Sequence, residues 1–318
     1  MTTKIDFLGK RNFAAIFSGL LLIVSIVSLA AQGLKLGIDF TGGTLVEIGY
    51  KQAVDLTKMR SELDEAGFGD STVQHFGTSQ EILIRLKPKE GLSDAELSTE
   101  VTRAADKAMS AQGDIRRVEF VGPQVGDELT EDGGLALLYS MFGILIYVAW
   151  RFEYKFALGS VAALAHDVII TLGAFSVIQM EFDLTVLAAI LAVIGYSLND
   201  TIVVYDRIRE NFRLMRKGSA ENVMNISLNQ TLSRTLMTSL TTLLVLVALA
   251  LLGGEIIHNF AIALLIGVVI GTYSSIFVAS PVVLILGVSK EDLMVVEVEV
   301  EGAEFDMVGA EQRDIDRP

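Results

Sequence analysis

Ionisable side chains inside long apolar runs are the residues of this sequence that could do chemistry. A charged group at the centre of a bilayer costs from about 2.5 kcal/mol upward, so such residues usually serve transport or join helices. The sequence has three such places: His166 with Asp167, Asp200 beside the polar Asn199, and Arg234 at the start of a run rich in Ser and Thr. Reversible binding of a proton or a sodium ion is the chemistry that they could perform.

Asp200 and Arg234 are expected to lie near each other. If the run is helical, its rise per residue places Asp200 about 7 Å from the middle of the run, on the side nearer Arg234. The two runs are consecutive and antiparallel, so an Asp200–Arg234 ion pair is geometrically reasonable. Burial and a nearby arginine shift the proton affinity of a carboxyl in opposite directions, so Asp200 could act as an ion carrier that releases Arg234 on protonation. The alternative is a static ion pair that joins two helices.

His166 and Asp167 have two interpretations as well. Adjacent residues of a helix point about 100° apart, so the two side chains can face different neighbours. Together with Asn199 they could form a proton relay, or they could be polar contacts between helices, worth about 0.6–2 kcal/mol each. The Ser/Thr stripe of residues 235–242 and three glycines, Gly195, Gly267 and Gly271, are interpreted as packing surface.

Other kinds of chemistry lack their motifs. The sequence has no Walker loop, no Gly-x-Ser-x-Gly, no His-Glu-x-x-His and no cysteine. Its three histidines lack the spacing of metal ligands. An intramembrane aspartyl protease would use Asp167 and Asp200, but an arginine beside one of them suits that role poorly. We therefore expect neither an enzyme nor a bound metal or cofactor.

The elements that must position these residues are apolar runs of about 20 residues, the length that crosses a bilayer as a helix. Six such runs are predicted as spans: 13–31, 135–150, 156–179, 184–205, 236–254 and 260–287. The first run could be a cleaved signal peptide ending near Ala30. Its length and the spans that follow favour a retained helix, since the apolar part of a signal peptide usually has about 7–15 residues.

A separate domain is predicted for residues 37–130, where no run is long enough to span. Its predicted elements are strand 45–50, helix 56–66, strand 72–76, strand 82–86, helix 93–110 and strand 115–121. This βαββαβ order is that of a ferredoxin-like α+β domain. The chain is thus divided into a terminus (1–12), a first span (13–31), this domain (37–130), a five-span bundle (134–287) and an acidic tail (288–318).

Charge sets the orientation and excludes nucleic acid as a partner. Lysine and arginine concentrate before the first span and in the loops after the second and fourth spans, and the opposite loops 180–183 and 255–259 have none. The positive-inside rule then places both termini in the cytoplasm and domain 37–130 outside. The formal charge of −14 disfavours nucleic acid binding. Much of it comes from residues 290–318, with ten acidic and three basic groups.

Several motifs match one family along nearly the whole chain up to about residue 288. They are Gly37-Ile38-Asp39-Phe40-Thr41-Gly42-Gly43-Thr44, Val121-Gly122-Pro123-Gln124-Val125-Gly126, Ala165-His166-Asp167-Val168, the stretch 195–211 around Asn199-Asp200, Leu228-Asn229-Gln230-Thr231-Leu232-Ser233-Arg234-Thr235, and Gly271-Thr272-Tyr273-Ser274-Ser275-Ile276-Phe277. By these residues the chain resembles the SecD/SecF family of protein-export membrane subunits, and the stretch 195–211 is the most specific of them.

The resemblance implies a fold and a set of roles. The fold is half of a resistance-nodulation-division (RND) bundle, with SecD supplying the other half and a second carboxylate. Asp200 and Arg234 become the ion-coupling pair, and Asp39, Thr41, Gly42 and Gly43 lie at the junction of domain and membrane, where the glycines could also be plain turn formers. The implied partners are SecD, the SecYEG channel, the exported preprotein and, as a further candidate, YajC, in the plasma (inner) membrane of a prokaryote.

Three classes of function stay open at this point. The leading one is an auxiliary subunit of the Sec translocase that uses a proton or sodium gradient to promote export. The second is an RND-type exporter of small molecules or lipids, although the single small outer domain disfavours it. The third is a structural membrane subunit without ion coupling, in which replacement of Asp200 or Arg234 would be tolerated.

Overall fold

The computed structural model of this chain describes residues 5–88, 93–215 and 218–289. The acidic tail from residue 290 onward therefore lies outside the described residues. In chain order the elements are α1 (Arg11–Ala31), β1 (Lys35–Leu36), α2 (Ile38–Thr41), β2 (Gly43–Gly49), α3 (Leu56–Glu65), β3 (Thr72–Phe76), β4 (Thr78–Leu86), α4 (Asp94–Met109), β5 (Asp114–Val121), α5 (Pro123–Arg151), α6 (Tyr154–Ile178), β6 (Glu181–Phe182), α7 (Leu184–Leu214), α8 (Ala220–Leu252), α9 (Glu255–Ser274) and α10 (Ser280–Ile285).

Six helical segments of the described chain are long and apolar enough to cross a membrane, which confirms the predicted number of spans. They are Leu8–Ala31, Pro123–Arg151, Tyr154–Ile178, Leu184–Leu214, Ala220–Leu252 and Ile256–Ile285. Helix α5 is continuous from Pro123, so it begins inside the range expected for the outer domain and extends into the second span. Proline suits the first position of a helix, because the backbone N–H that proline lacks would have no partner within the helix there.

Burial separates a central set of helices from a peripheral set. In the most apolar window of α6 and of α7, 56% of the residues are buried, against 11% in α5 and 17% in α8. The outward faces of α5 and α8 carry large exposed side chains such as Phe142 and Leu244. Apolar faces of this kind are stable against lipid or against another membrane subunit.

The sixth span is interrupted in its middle. Between α9 and α10, residues Ser275–Ala279 form a π-helical turn. Pro281 follows within two residues, and the ring of a proline would clash with the carbonyl four residues before it in a regular helix. The Ser280 hydroxyl donates to the Ser275 carbonyl at 3.0 Å, which satisfies one of the backbone groups released by the irregular turn. Such turns often mark functional segments.

The domain of residues 37–130 has the predicted βαββαβ order. Its antiparallel sheet has the strand order β3-β4-β2-β5, with β2 paired to both β4 and β5. Helices α3 and α4 cover one face, and Met59, Leu63 and Val101 are buried against β2 and β4. Helix α4 begins at a capping box in which Ser93 and Glu96 bond each other's backbone N–H, so the sequence fixes this boundary locally.

Candidate functional site

Asp200 is a buried carboxyl on α7 with an unsatisfied oxygen. Its Oδ2 atom is inaccessible and has no hydrogen-bond partner in the described part of the chain. The carboxyl faces α8, near the Ser239 hydroxyl. Ser239 lies 2.7 Å from the Thr272 hydroxyl, and Thr272 donates its own proton to the Val268 carbonyl. A hydroxyl has a single proton to give, so Ser239 can donate to Thr272 or to the Asp200 carboxyl, but not to both at once.

This geometry favours reversible ion binding at Asp200. Nearly all buried polar atoms in proteins find a partner, so an orphan carboxylate oxygen indicates a place where a proton or a cation can enter. The hydroxyl of Thr235, also buried on α8, lacks a partner in the described residues too.

Arg234 does not form the ion pair that the sequence suggested. No ion pair joins it to Asp200 among the described residues, and its side chain lies on the exposed face of α8. The reason is helical phase: Thr235 and Ser239 are among the α8 residues buried against the bundle, and Arg234 points about 100° away from Thr235. It stays within electrostatic range of the Asp200 carboxyl. A guanidinium exposed at this position can extend to the headgroups or pair with an anion of another chain.

His166 and Asp167 form the centre of a second buried polar cluster. Asp167 is fully buried, and its Oδ2 accepts from the Ser197 hydroxyl of α7 at 2.6 Å and from the Ser274 hydroxyl of α9 at 2.7 Å. The Nδ1 atom of His166 lies 2.9 Å from Asp167 Oδ1. The two residues thus bond each other while facing different helices.

The cluster continues from His166 to α1. The Nε2 atom lies 3.2 Å from the Ser18 hydroxyl, which lies 3.0 Å from the Tyr273 hydroxyl. Tyr273 in turn donates to the Ala14 carbonyl at 2.9 Å. One hydrogen-bonded path therefore joins α1, α6, α7 and α9 through the middle of the bundle.

The remaining polar residues of the spans are more dispersed. Asn199 is exposed on α7, on a different side from its buried neighbour Asp200. The hydroxyls of Thr238, Thr241 and Thr242 donate to carbonyls of their own helix, and Ser239 reaches across to α9. The stripe is therefore mainly self-satisfied. Within the residues that the structure describes, no group of three His, Cys, Asp or Glu side chains could hold a metal ion.

The junction between domain and bundle is a set of short backbone contacts. Strands β1 and β6 pair in parallel, and the Gly37 N–H donates to the Phe182 carbonyl at 2.8 Å. Arg85 of the sheet forms an ion pair with Glu181 of the loop between α6 and α7. Helix α2 follows β1, so it is held on the loop from which α7 begins.

Asp39 connects α2 directly to the first residue of α7. Its Oδ2 accepts from the Leu184 N–H at 2.9 Å. Burial raises the pKa of Asp39 above its usual value. The bond from Leu184 opposes this shift, and the nearby carboxylates Asp183 and Glu119 add to it. Since Asp39 binds a proton more tightly here than in an unfolded chain, the free energy of unfolding falls as the pH rises through the interval between the two pKa values. The Leu184 bond itself is stronger to the ionised carboxylate.

Gly42 and Gly43 have backbone conformations that require glycine. Their φ angles are +67° and +131°. The ψ of Gly42 is 167°, in a region that is essentially restricted to glycine. A Cβ on Gly42 would lie 2.9 Å from the Pro123 Cα at the start of α5. Beside them, the Thr41 hydroxyl donates to the Gly37 carbonyl at 3.0 Å. The glycines therefore let the chain leave α2 in contact with α5.

Replacing Gly42 by Ala should weaken this junction. We expect a loss of about 1–3 kcal/mol from backbone strain, with a further loss from the displaced α5. The measurement is thermal unfolding of the purified protein in detergent, combined with the rate of proteolysis between α1 and β2. Gly122→Ala is the matched control, because Gly122 has φ −63° and nothing within 4 Å of a Cβ. Equal stability of the two variants would contradict this account of Gly42.

Sequence reasoning missed most partners of the second cluster. Ser18, Ser197 and Ser274 are single hydroxyls in apolar runs, where serine is common at helix contacts. The signal that could have found them is helical phase. Ser197 lies three residues, or just under one turn, before Asp200, and Ser274 directly follows Tyr273.

Comparisons with known proteins cover nearly the whole chain. A family model described as "Protein export membrane protein SecD/SecF, C-terminal" matches residues 101–289, and one described as "SecD/SecF GG Motif" matches residues 27–54. The chain is 54% identical over 302 residues to "Protein translocase subunit SecF" of Vibrio alginolyticus, covering 95% of this chain and 96% of that relative. It is 48% identical over 291 residues to the protein of the same description from Pseudomonas aeruginosa, covering 91% and 94%.

Two solved structures are similar as well. SecDF of Thermus thermophilus, described as a translocon-associated membrane protein, superposes with a TM-score of 0.81 at 39% identity. SecDF in a Super-membrane-facing form gives a TM-score of 0.67 at the same identity. The matches cover 89% and 90% of this chain but only 39% of each SecDF chain, so the chain corresponds to less than half of those proteins.

Proposed function

The chain belongs to the SecD/SecF family of protein-export membrane proteins, and from this membership we propose that it works with SecD as the SecF subunit of the Sec translocase. In this role it uses the proton or sodium gradient to promote the export of preproteins across the plasma membrane. It is a multi-pass membrane protein, and its partners are SecD, the SecYEG channel, the preprotein and, as a further candidate, YajC.

The observation that carries this proposal is the buried Asp200 carboxyl with its unsatisfied oxygen. In a static structural contact that oxygen would have a donor, as Asp167 has two. Binding of a proton or Na⁺ removes the uncompensated charge, and release restores it. The two states of Asp200 therefore favour different packing of α7 against α8, and a gradient that loads the site on one side can do mechanical work.

The exposed Arg234 supports SecD as the second half of the site. Its guanidinium points away from this bundle at membrane depth, where an unpaired charge is costly. The largely unburied faces of α5 and α8 could accept a second set of helices. A carboxylate from SecD opposite Arg234 would form an ion pair with it, and Asp200 would carry the proton or Na⁺.

Helix α7 links ion binding to the outer domain. Asp200 lies 16 residues after Leu184, which is about 24 Å along the helix. The Leu184 N–H bonds Asp39, and the glycine pair Gly42–Gly43 follows within a few residues. A tilt or shift of α7 would therefore move α2, with Asp39, Thr41 and the glycines transmitting it to the sheet.

The orientation in this proposal has both termini in the cytoplasm. Among the described residues, Lys10, Arg11, Arg151, Lys155, Arg207, Arg209 and Arg213 lie at one end of the bundle. The outer domain attaches at the other end, through β1 and β6. The positive-inside rule assigns the basic end to the cytoplasm, so the domain meets the preprotein outside.

His166, Asp167 and Asn199 have a secondary place in the mechanism. We assign the first two to a polar anchor that holds a proton and fixes α1, α6, α7 and α9, rather than to the exchanging site. Asn199 is exposed beside Asp200 and would contact lipid or the SecD half. A relay through His166 and Asp167 is the competing assignment, and the Asp167 variants treated in the Discussion separate the two.

A complementation experiment tests the function. Cells that lack their own SecF should export a secreted reporter faster when they express this chain together with its SecD, and the two should copurify. Collapse of the ion gradient should remove the gain, and varying Na⁺ at constant pH identifies the coupling ion. A chain that copurifies with SecD but gives no gradient-dependent gain would be a structural subunit. A chain that does not bind SecD would overturn the proposal.

A further inference from the structure

A groove with a volume of 570 Å³ runs along the surface of the bundle between α1, α6 and α10. We call it the α1 groove. Its walls include Ala15, Gly19, Leu22, Ile169, Phe277 and Pro281. Ser18 and His166, which bond each other, lie at its floor, and Arg11 and Asn12 lie at its mouth. The volume is within the range of about 300–1,000 Å³ that small-molecule sites occupy.

The α1 groove has the depth of one membrane leaflet. From Arg11 to Leu22 the helix rises about 16 Å. This is close to half of the roughly 30 Å hydrocarbon core of a bilayer. Arg11 lies at the same end of the bundle as the basic loops. The groove therefore extends from headgroup level at that end to about the centre of the bilayer. A straight acyl chain in this leaflet runs over the same distance.

Two basic side chains lie at the mouth of the groove. Lys10 is exposed beside it, and Arg11 is partly exposed even though it pairs with Glu221 at 2.8 Å. The Asn12 side chain is also exposed. Basic residues at this depth attract the phosphate of an anionic lipid. The lining is apolar below this level. A phospholipid has the same sequence of groups, with a charged headgroup followed by apolar acyl chains.

The groove exists because small residues line it. Ala15, Gly19, Ala162 and Ala165 leave space that larger side chains would close, and a Cβ on Gly19 would meet nothing within 4 Å. We propose that the α1 groove binds one acyl chain of an anionic glycerophospholipid, whose headgroup lies against Lys10, Arg11 and Asn12. The bound chain covers the Ser18–His166 bond and keeps water from that end of the polar cluster. This binding does not depend on the export function.

Photolabelling of the complex with SecD tests the site. The complex is reconstituted in non-energised vesicles of phosphatidylethanolamine and phosphatidylglycerol that contain phosphatidylglycerol with a diazirine in its acyl chain. We expect the labels, mapped by mass spectrometry, to concentrate on residues 15–22 and 162–169 above the level on equally exposed parts of α5. Gly19→Leu should reduce labelling of the groove several-fold.

Two matched measurements complete the test. Gly143→Leu introduces the same side chain at an open position of α5 outside the groove, and it should leave the groove labelling unchanged. Lys10→Gln should reduce the preference for phosphatidylglycerol over phosphatidylethanolamine about fivefold. Labels spread over all outer helices in proportion to exposure would overturn the proposal. So would a groove that is labelled in the isolated chain but unlabelled in the complex, because a helix of SecD would then be its occupant.

Discussion

Asp200→Asn should abolish the gradient-dependent part of preprotein export while leaving the subunit folded and bound to SecD. The amide has nearly the same shape as the carboxyl, but it cannot take up and release a proton and is a weaker ligand for Na⁺. Because Oδ2 has no partner in the described structure, the exchange breaks no hydrogen bond there, and we expect stability to change by about 1 kcal/mol or less. The measurement is the export rate of a reporter with and without an imposed ion gradient, with SecD copurification as the check on assembly.

Asp206→Asn is the matched control for this variant. Asp206 is on the same helix, receives the same substitution and lies near the inner end of the span. Its side chain is 48% exposed and pairs with Arg151 at 3.2 Å. Exposed ion pairs contribute about 0–1 kcal/mol, so export should stay close to the unmodified level. Normal export by Asp200→Asn, or an equal loss in both variants, would refute the assignment of Asp200 as the ion carrier.

The spans and the domain of residues 37–130 were predictable because run length and periodicity are local properties. The six apolar runs correspond to the six helical segments, and the strand 72–76 has the same limits in the structure. The strand expected at 82–86 begins earlier, at Thr78. The sequence did not indicate this start, because the first residues of the strand have polar side chains and show no apolar alternation. Ladder pairing with β2 and β3 extends it, which is a non-local effect.

The contacts of the candidate site were less predictable because they depend on helical rotation and on distant residues. The depth of Asp200 and Arg234 follows from residue count, but the outward direction of Arg234 follows from how α8 packs against α7 and α9. Gly267 and Gly271 do pack closely, against Val193 and Ser197 of α7. Gly195 was interpreted in the same way, and this is wrong: a Cβ there would meet open space. The strands β1 and β6 have two residues each and are 145 positions apart, so no local pattern predicts them.

The protonation of the second cluster follows from counting donors. Tyr273 donates its proton to the Ala14 carbonyl, so the bond between Ser18 and Tyr273 uses the proton of Ser18. Ser18 must then accept a hydrogen bond from His166 Nε2. The contact between His166 Nδ1 and Asp167 Oδ1 therefore needs a second proton. One proton has to lie between those two atoms. The His166–Asp167 unit is therefore neutral overall, as a fully buried unit without another cation should be.

Asp167→Asn and Asp167→Ala should consequently differ in stability. The asparagine reproduces the protonated acid: its amide can donate to His166 Nδ1, and its carbonyl can accept from Ser197 and Ser274. We expect it to cost about 1 kcal/mol or less. The alanine removes a hydrogen bond from each of three buried groups, and each bond is worth about 0.6–1.7 kcal/mol in a membrane protein, so we expect a loss of about 2–5 kcal/mol. Thermal unfolding of the SecD complex in detergent gives both values.

The outcome also separates an anchor from a relay. If the cluster holds its proton permanently, Asp167→Asn should export at the unmodified rate under a gradient, because the proton that it mimics never leaves. If Asp167→Asn is as stable as the unmodified protein but loses gradient-dependent export, the proton does move, and His166 and Asp167 belong to the relay with Asp200. If Asp167→Asn is as unstable as Asp167→Ala, the amide does not replace the acid in the cluster, and the proton count given above is wrong.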